Sequence, residues 1–442
     1  MPVFCLIPQD VLSLGDALSA PGVSRARVRW PEPSVVFDAL HAALQRAFPQ
    51  GQLWEHAHAY GRNGRYPNRN ERMQRFGSLA TAGPFPCVHS PLPAAWFFPK
   101  PLDAAGNPDG TWTAMRPMRD PGGRSNLPGP LRYPVAAPGR PVQHASPPWW
   151  SKTAIESYLK NGMPDAAGLK FDTDLFYAQP SGGLTEKRTA GAAAESALHG
   201  FAGLRLLDNV SMGIVASMPL KDRHQAEGLD ELMRVRHPSL IVGGRQRVCA
   251  IQPLAGMPLE SWLPLSEPVP DTRVKWVLLS PAVFPAIAAP SLGAAHPGGW
   301  LPSWICPQTG CVLLRKGDSR RGPGESREEW RRRTRDLPHF DCQLVAAHLP
   351  PPTPLTGWSD RLHLKLDEPE SVPGPKPVLW AVPAGAVFFF EGPDAPELSH
   401  ALAWHGEKRD QVQTVAHRRS TLLGEKGFGL GVCGPWNYRE DD

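Results

Sequence analysis

Proline and glycine recur along the whole chain and limit how much regular helix it can form. The 442 residues include 52 prolines and 42 glycines, both high for a globular protein. Proline interrupts helices and central strands, so much of the length is predicted to be loop or extended connection. Short helical patterns alternate with short apolar runs before and after a proline-rich link at residues 253–270. This mixture predicts an α+β fold.

The length accommodates more than one domain. We predict an N-terminal domain over residues 1–262 and a C-terminal domain over residues 263–442. Prolines and glycines without periodicity predict a long surface insertion at about 101–148 in the first domain. The second domain contains an arginine-rich segment at about 315–336, whose intermixed acids suit a solvated helix at least as well as a contact with RNA or an acidic partner.

Several elements are predicted from local patterns. The apolar run at residues 3–7 suits a buried first strand, and the helical spacing at 35–48 predicts a helix with Ser34 as its N-cap. Two apolar runs, 378–382 and 387–390, flank a Pro-Ala-Gly turn. This pattern predicts a β-hairpin in the C-terminal domain.

Charge and cysteine content restrict the class of protein. The net charge of +5 is too small to establish nucleic-acid binding by itself. Seven cysteines, an odd number spread over a long chain, do not form a disulfide framework, and the N-terminus lacks a signal-peptide pattern. A cytoplasmic location is therefore expected. No apolar run approaches the roughly 20 residues needed to span a bilayer, so no membrane association is predicted.

A glycine-rich stretch at residues 424–434 is the strongest local motif. Its glycines alternate with one lysine, one aromatic residue and small apolar residues, so the backbone is predicted to approach a ligand closely and offer N–H groups to oxyanions. It lacks the Gly-Lys-Ser/Thr ending of a P-loop and the position of a dinucleotide-binding motif. The alternative is a glycine-rich turn that joins a helix to a last strand.

Other candidate sites carry weaker signals. The arginines and asparagines of residues 61–75, ending at Arg75, are suited to following a phosphate backbone, or they form a solvated basic loop. Zinc ligands are available at Cys306, Cys311, His339 and Cys342. Buried free cysteine is the common alternative, so we assign no metal ion and no cofactor and leave zinc at these four residues open.

Catalytic patterns are weak in this sequence. His41, on the first predicted helix, is suited to metal-independent RNA cleavage near a 2′-hydroxyl. No Gly-x-Ser-x-Gly or His-Glu-x-x-His motif is present, and no base-and-orienter arrangement is readable. The sequence therefore predicts that the protein is not an enzyme.

The order of several short motifs carries more information than any one of them. The motifs are Asp10-Val11-Leu12, Pro33-Ser34-Val35-Val36, Phe76-Gly77, Gly83-Pro84-Phe85, Pro99-Lys100-Pro101-Leu102-Asp103, Gly243-Gly244-Arg245, Leu279-Ser280-Pro281-Ala282-Val283-Phe284, Gly357-Trp358, Lys376-Pro377, Val382-Pro383-Ala384-Gly385-Ala386-Val387-Phe388 and Gly427-Phe428-Gly429-Leu430-Gly431. In this order, over most of the chain, they resemble the third subunit of the Cmr complex, the type III-B CRISPR effector, within the RAMP superfamily.

The resemblance implies two ferredoxin-like (RRM-like) RAMP domains, here with long Pro-rich insertions. It also implies a subunit for antiviral defence that holds the repeat-derived 5′ handle of the CRISPR RNA (crRNA) and has no nuclease activity. Its implied protein partners are the large polymerase-like Cas subunit and the backbone RAMP subunits.

On this reading, glycine backbone donors and lysine contact phosphates, while Phe428 or Trp358 stacks an unpaired base. The predicted RNA-binding residues are Lys426, Gly427, Phe428, Gly429 and Gly431 in the loop, together with Arg75, Arg245, Arg247 and Trp358 elsewhere.

Two other functions stay open at this point. RAMP nucleases share the glycine loop and use histidine chemistry, so a metal-independent CRISPR repeat endoribonuclease that depends on His41 is the main alternative. A scaffold that contacts only proteins is the third.

Overall fold

The structure is a computed structural model. It describes residues 3–14, 28–47, 79–89, 94–107, 109–119, 127–137, 146–187, 195–217, 229, 239–244, 246–254, 257–288, 295–317, 326–362, 372–403, 408–409, 412–413 and 419–439.

The N-terminal half is organised around an eight-stranded sheet with the strand order β13-β14-β1-β12-β2-β3-β8-β9. The α-helices with described bounds in this half are α1 (Pro33–Ala47) and α2 (Lys152–Asn161). The strands, in chain order, are β1 (Val3–Pro8), β2 (Ala80–Val88), β3 (Ala95–Pro99), β4 (Ala104–Gly106), β5 (Trp112–Ala114), β6 (Arg116–Pro117), β7 (Val135–Ala136), β8 (Trp149–Ser151), β9 (Leu169–Lys170), β10 (Phe176–Lys187), β11 (Glu195–Leu206), β12 (Val210–Ser217), β13 (Leu240–Ile241) and β14 (Val248–Leu254).

Helix α1 covers one face of this sheet. Its apolar residues recur at helical spacing and are buried against alternate residues of β1 and β12, because successive side chains of a strand point to opposite faces. The core residues that meet here include Val36, Phe37, Leu40, Ala43 and Leu44 of the helix and Phe4, Leu6, Met212 and Ile214 of the strands. The predicted first strand and first helix are thus confirmed. The helix begins at Pro33, however, so Ser34 lies inside the helix and is not its N-cap.

The C-terminal half contains a four-stranded antiparallel sheet in the order β17-β22-β15-β25 and a smaller one in the order β16-β21-β18. Its helices are α3 (Arg327–Arg335) and α4 (Ala395–Leu402). Its strands are β15 (Arg273–Leu278), β16 (Ala282–Val283), β17 (Gln343–His348), β18 (Thr353–Leu355), β19 (Trp358–Leu362), β20 (Val372–Pro375), β21 (Leu379–Val382), β22 (Val387–Glu391), β23 (Lys408–Arg409), β24 (Val412–Gln413) and β25 (Gly431–Pro435).

The hairpin predicted from residues 378–390 is wrong. The strand β21 pairs with β16 and β18, whereas β22 pairs with β15 and β17. The turn between them therefore passes from one sheet to another. It is held by distant partners, because the N–H of Gly385 donates to the carbonyl oxygen of Leu278 (2.7 Å) and its carbonyl oxygen accepts from the N–H of Leu102 (2.8 Å).

The proline-rich segment at 101–148, predicted as a long surface insertion, contains short paired strands in its described part. It forms the pairs β4–β5 and β6–β7. The N–H groups of Arg132 and Tyr133 both donate to the carbonyl oxygen of Val345, at 2.9 and 3.1 Å. Part of this segment therefore packs on the C-terminal half.

Helix α3 lies in the arginine-rich segment and is mostly exposed. Ser326 caps its N-terminus, and the Glu329 side chain completes a capping box. A helix in this segment is thus confirmed over residues 327–335, and the choice between a solvated face and a contact with RNA or an acidic partner stays open. No helix in the described ranges combines the length and apolar character that crossing a membrane requires.

Candidate nucleic-acid interface

The glycine-rich loop forms a tight turn ahead of β25. Residues 424–426 make one 3₁₀ turn, and Gly427 and Gly429 follow with φ angles of 102° and 76°. A side chain at Gly427 would lie 3.2 Å from the carbonyl oxygen of Thr81, so glycine at this position lets the loop approach β2 closely. The close backbone approach that the sequence predicts is present, and its partner is a strand of the same chain.

The backbone N–H groups of this loop are already used by the fold. The bonds are Lys426 N to Leu423 O (2.9 Å), Gly427 N to Gly424 O (3.1 Å), Phe428 N to Leu423 O (3.4 Å), Gly429 N to Pro281 O (2.7 Å) and Leu430 N to Ser280 Oγ (2.9 Å). An oxyanion at the loop would have to displace these bonds and leave buried carbonyl groups unpaired. These donors are therefore occupied within the chain, and their contact with phosphate stays a prediction.

Lys426 closes the loop against helix α1. Its side chain is buried, and its Nζ atom lies 2.6 Å from Oδ1 of Asp38 and 5.3 Å from the centre of the Phe37 ring. The Thr81 hydroxyl donates to the Lys426 carbonyl oxygen (3.1 Å). A second cation, Lys376, lies 3.7 Å from the other Asp38 oxygen. One carboxylate thus faces two ammonium groups, which leaves a net positive charge at this point.

Phe428 does not present its ring to solvent. It is fully buried, in a cluster formed with Val283, Leu355, Ala381 and Leu423. Phe428 was predicted to stack on a base, but its ring is part of the core beneath the loop and is not accessible to one. RNA contact by Lys426, Gly427, Gly429 and Gly431 stays a prediction.

Arg247 lies at a different place on the molecule. It forms an ion pair with Asp10, which also contacts Arg205 at 3.5 Å. Arg247 precedes β14, whereas the glycine-rich loop lies beside β2, three strand spacings away in the sheet, or roughly 14 Å. Arg247 and the loop therefore do not form one compact site.

The remaining predicted RNA-binding residues are not placed. Arg75 and Arg245 lie outside the described residues, as does the side chain of Trp358, whose backbone belongs to β19.

His41 lies on α1, one turn beyond Asp38. Burial lowers the pKa of its imidazole to about 4, an effect that Asp38 opposes and Lys426 strengthens. The ring is stacked on Phe37, with 6.1 Å between ring centres. Neutral imidazole is thus the form present near pH 7.

Comparison with known proteins decides the family. The family model for the CRISPR-associated protein Cas_Cmr3 matches residues 4–436. This chain belongs to the Cas_Cmr3 family. The resemblance to a Cmr protein is thus confirmed, and the chain is a component of a type III CRISPR effector.

Solved structures add distant similarities to this Cas_Cmr3 chain. A chain of a cryo-EM structure of the type III-B Cmr-beta complex bound to cognate target RNA and AMPPnP shares 10% sequence identity at a TM-score of 0.36, covering 88% of this chain and 86% of that one. A chain from a crystal structure of the Csm3-Csm4 subcomplex of a type III-A interference complex shares 10% identity at a TM-score of 0.34, covering 99% and 100%. Among curated proteins no match was found.

Several motifs of the Cas_Cmr3 resemblance meet where the two halves of the chain join. Besides the contact of Gly427 with β2, the motif at residues 99–103 meets the motif at residues 382–388 through the bond between Leu102 and Gly385. Asp103 forms a buried ion pair with Lys275 of β15, with 2.8 Å between Oδ2 and Nζ. These motifs therefore hold the two halves of the Cas_Cmr3 chain together.

The four candidate zinc ligands do not come together. Cys306 and Cys311 share one turn, closed by a 2.9 Å bond from the N–H of Cys306 to the carbonyl oxygen of Cys311. Cys342 is buried, and burial raises the pKa of its thiol to about 12. Within the described ranges, three metal-ligating side chains converge only at Cys5, Cys87 and His89.

The most exposed aromatic side chain in the described part of the chain was not predicted. Trp380 on β21 is 53% exposed, as is Val378, and both follow closely on Lys376. The run 378–382 is apolar throughout, so its sequence carries no signal that Trp380 is exposed while Ala381 and Val382 are buried. The run was interpreted as one strand of a hairpin, which gave no reason to expect an exposed face.

Proposed function

We propose that this protein is a non-catalytic, crRNA-binding subunit of a type III-B (Cmr) ribonucleoprotein in antiviral defence. It holds the repeat-derived 5′ handle of the crRNA and connects the large polymerase-like subunit to the backbone RAMP subunits. The observation that carries the proposal is the family match over residues 4–436.

The proposal includes two ferredoxin-like units. Sheet topology supports it: the four strands β14-β1-β12-β2 and the four strands β17-β22-β15-β25 are both antiparallel. When the strands of each set are numbered 1 to 4 in chain order, their order across the sheet is 4-1-3-2 in both sets. A helix follows the first strand in the N-terminal set and precedes the last strand in the C-terminal set.

In this proposal, the partly exposed Lys376 and the exposed Trp380 are the residues that contact RNA. Lys376 keeps a third of its side chain in solvent, whereas Lys426 is almost fully buried, so Lys376 is the cation that a phosphate reaches. Trp380 supplies the open aromatic face that Phe428 lacks, and base stacking on such a ring contributes roughly 1–3 kcal/mol. The glycine-rich loop holds the C-terminal half against α1 and β2, through Lys426 and Gly427, and so supports the position of Lys376 and Trp380.

The non-catalytic part of the proposal is supported by His41. With a pKa of about 4, this histidine is in its neutral form at neutral pH, and its imidazolium form is scarce. It therefore lacks the general-acid form that acid–base cleavage of RNA would require from it.

Two experiments test the proposal. A tagged full-length chain is recovered from cells that carry its locus, and the bound RNA and proteins are identified. We expect RNAs that share one repeat-derived 5′ end, together with other Cas subunits. Recovery of neither would overturn the proposal, and cleavage of repeat RNA in EDTA that is lost in His41→Ala would establish the endoribonuclease instead.

The second experiment locates the RNA contact. Affinity for a 5′-handle oligonucleotide is measured at fixed salt for the assembled complex containing Lys376→Ala with Trp380→Ala. We expect a loss of about tenfold or more, with an unchanged melting temperature, because both side chains are exposed. Lys152→Ala, which removes a partly exposed, ion-paired cation of α2, is the matched control and leaves affinity unchanged. Equal affinities in the two variants would place the handle elsewhere.

A further inference from the structure

Two cysteines from non-adjacent strands meet in the central sheet. Cys5 of β1 lies opposite Gly213 of β12, and Cys87 of β2 lies opposite Ser211 of β12. Their sulfur atoms are 3.7 Å apart across β12, and both side chains are fully buried. The Trp96 indole occupies the space beside Gly213, where an added side chain would lie 2.4 Å from it.

A histidine completes the group. His89 follows β2 two residues after Cys87 and so lies on the same face of the sheet. Its Nε2 atom is 2.8 Å from the Ser211 hydroxyl, which is buried. The ligand atoms of Cys5, Cys87 and His89 all lie within 4.8 Å of one another.

We infer that Cys5, Cys87 and His89 bind a zinc ion, with the Ser211 hydroxyl or a water molecule as the fourth ligand. Zinc–sulfur bonds of about 2.3 Å in a tetrahedral site place two sulfur atoms about 3.8 Å apart, close to the separation seen here. Two thiolates and one imidazole are ligands that zinc prefers. Binding releases the two thiol protons, and the two thiolate charges then balance Zn²⁺, so the buried site is neutral overall.

A disulfide does not explain the same arrangement. Disulfide formation needs an S–S distance of about 2.05 Å and Cα atoms usually within about 7 Å. Because β12 lies between β1 and β2, the two backbones are about 9–10 Å apart. Oxidation would therefore require the central sheet to move.

The surroundings of the two sulfurs suit thiolates. The buried indole Nε1 of Trp96 has no hydrogen-bond partner of ordinary geometry in the described part of the chain, and it lies beside Cys87. An indole N–H at this position would support metal-bound sulfur from outside the ligand set.

The test is metal binding by the full-length chain after removal of metal by a chelator under reducing conditions. Titration with Co²⁺ is expected to give one equivalent of bound ion with sulfur-to-cobalt charge-transfer absorption, which Zn²⁺ displaces. Added Zn²⁺ is expected to raise the melting temperature, because metal bound to the native state stabilises it. Absence of both effects in the wild-type protein would overturn the inference.

Variants identify the ligands. Cys5→Ser and Cys87→Ser are expected to lose the charge-transfer absorption, and His89→Gln to weaken binding at least about tenfold. His89 is only partly buried, so its variant tests the site even where a cysteine variant fails to fold. Cys249→Ser, at a fully buried cysteine of β14, is the matched control and binds normally. Binding that survives Cys5→Ser with Cys87→Ser but is lost in Cys306→Ser with Cys311→Ser would assign the metal to the C-terminal cysteines instead.

Discussion

The buried ion pair between Asp103 and Lys275 is predicted to be a main support of the junction between the two halves. Side-chain exposure is 1% for Asp103 and 6% for Lys275, and the ammonium group also lies 4.2 Å from the centre of the Tyr158 ring. Lys275→Met keeps the length of the apolar stem and removes only the charge. The Asp103 carboxylate is then left buried without its cation.

The size of the effect follows from this burial. Removing one partner of a buried pair typically destabilises a protein by about 3–5 kcal/mol, because the remaining charge has lost its compensation. For a chain of 442 residues the unfolding entropy is about 0.9 kcal/mol/K, so 1 kcal/mol corresponds to about 1 °C and the melting temperature is expected to fall by about 3–5 °C. Because Asp103 and Lys275 belong to different halves, the loss is also expected to loosen the junction, which limited proteolysis detects.

The assay is thermal unfolding followed by circular dichroism in one buffer, with Lys152→Met as the matched control. Lys152 forms an ion pair of nearly the same length, 2.7 Å, with Glu156 on α2, but both side chains are partly exposed. That pair is expected to contribute about 0.3–0.5 kcal/mol. A second variant, Lys275→Met with Asp103→Leu, is expected to recover part of the stability because no unpaired charge stays buried. Equal melting temperatures for Lys275→Met and Lys152→Met would refute the reasoning.

Two further predictions concern α1 and the glycine-rich loop. Burial lowers the pKa of His41 from 6.5 to about 4, so between these pH values the unfolded chain binds a proton that the folded chain does not. The free energy of unfolding therefore falls as the pH drops from 6.5 to 4, by at most about 3 kcal/mol. Urea midpoints at pH 7.5 and 4.5 check this, and an equally steep decline in His41→Gln would contradict it. Gly427→Ala is expected to lower the free energy of unfolding by about 1–3 kcal/mol, because alanine would have to adopt a positive φ and its Cβ would press on the Thr81 carbonyl oxygen. Gly299→Ala, at a positive φ with open space around it, is the control, and an equal loss there would show that the contact with β2 contributes nothing.

Local patterns predicted the elements whose formation depends on local interactions. The first strand and α1 follow from apolar periodicity, and the exposed α3 follows from its mixture of acids and arginines. The hairpin at residues 378–390 was wrong because β21 and β22 each find partners far away in the chain. Two adjacent apolar runs around a glycine turn look the same in sequence whether they pair with each other or enter two different sheets.

The glycine-rich loop shows the same limit at the level of the site. Its composition correctly indicated a close approach of the backbone to a partner. Composition gives no information on which partner that is, and in the fold the partners of the loop are β2, Pro281 and Ser280. Lys426, which was predicted to contact phosphate, is buried and paired with Asp38. Phe428, which was predicted to stack on a base, is buried in the cluster that contains Val283.

This placement changes where RNA contact is to be sought. For a phosphate to bind the loop backbone, it would have to replace internal hydrogen bonds, and each buried group left without a partner costs about 1–3 kcal/mol. The exposed Lys376 and Trp380 carry no such penalty, since water is what an RNA would displace from them. Asp38 contacts both Lys376 and Lys426. If a phosphate bound Lys376, Asp38 would therefore keep Lys426 as its cation. Under the proposed function, the loop therefore supports the edge formed by Lys376 and β21, and that edge is where contact with RNA is expected.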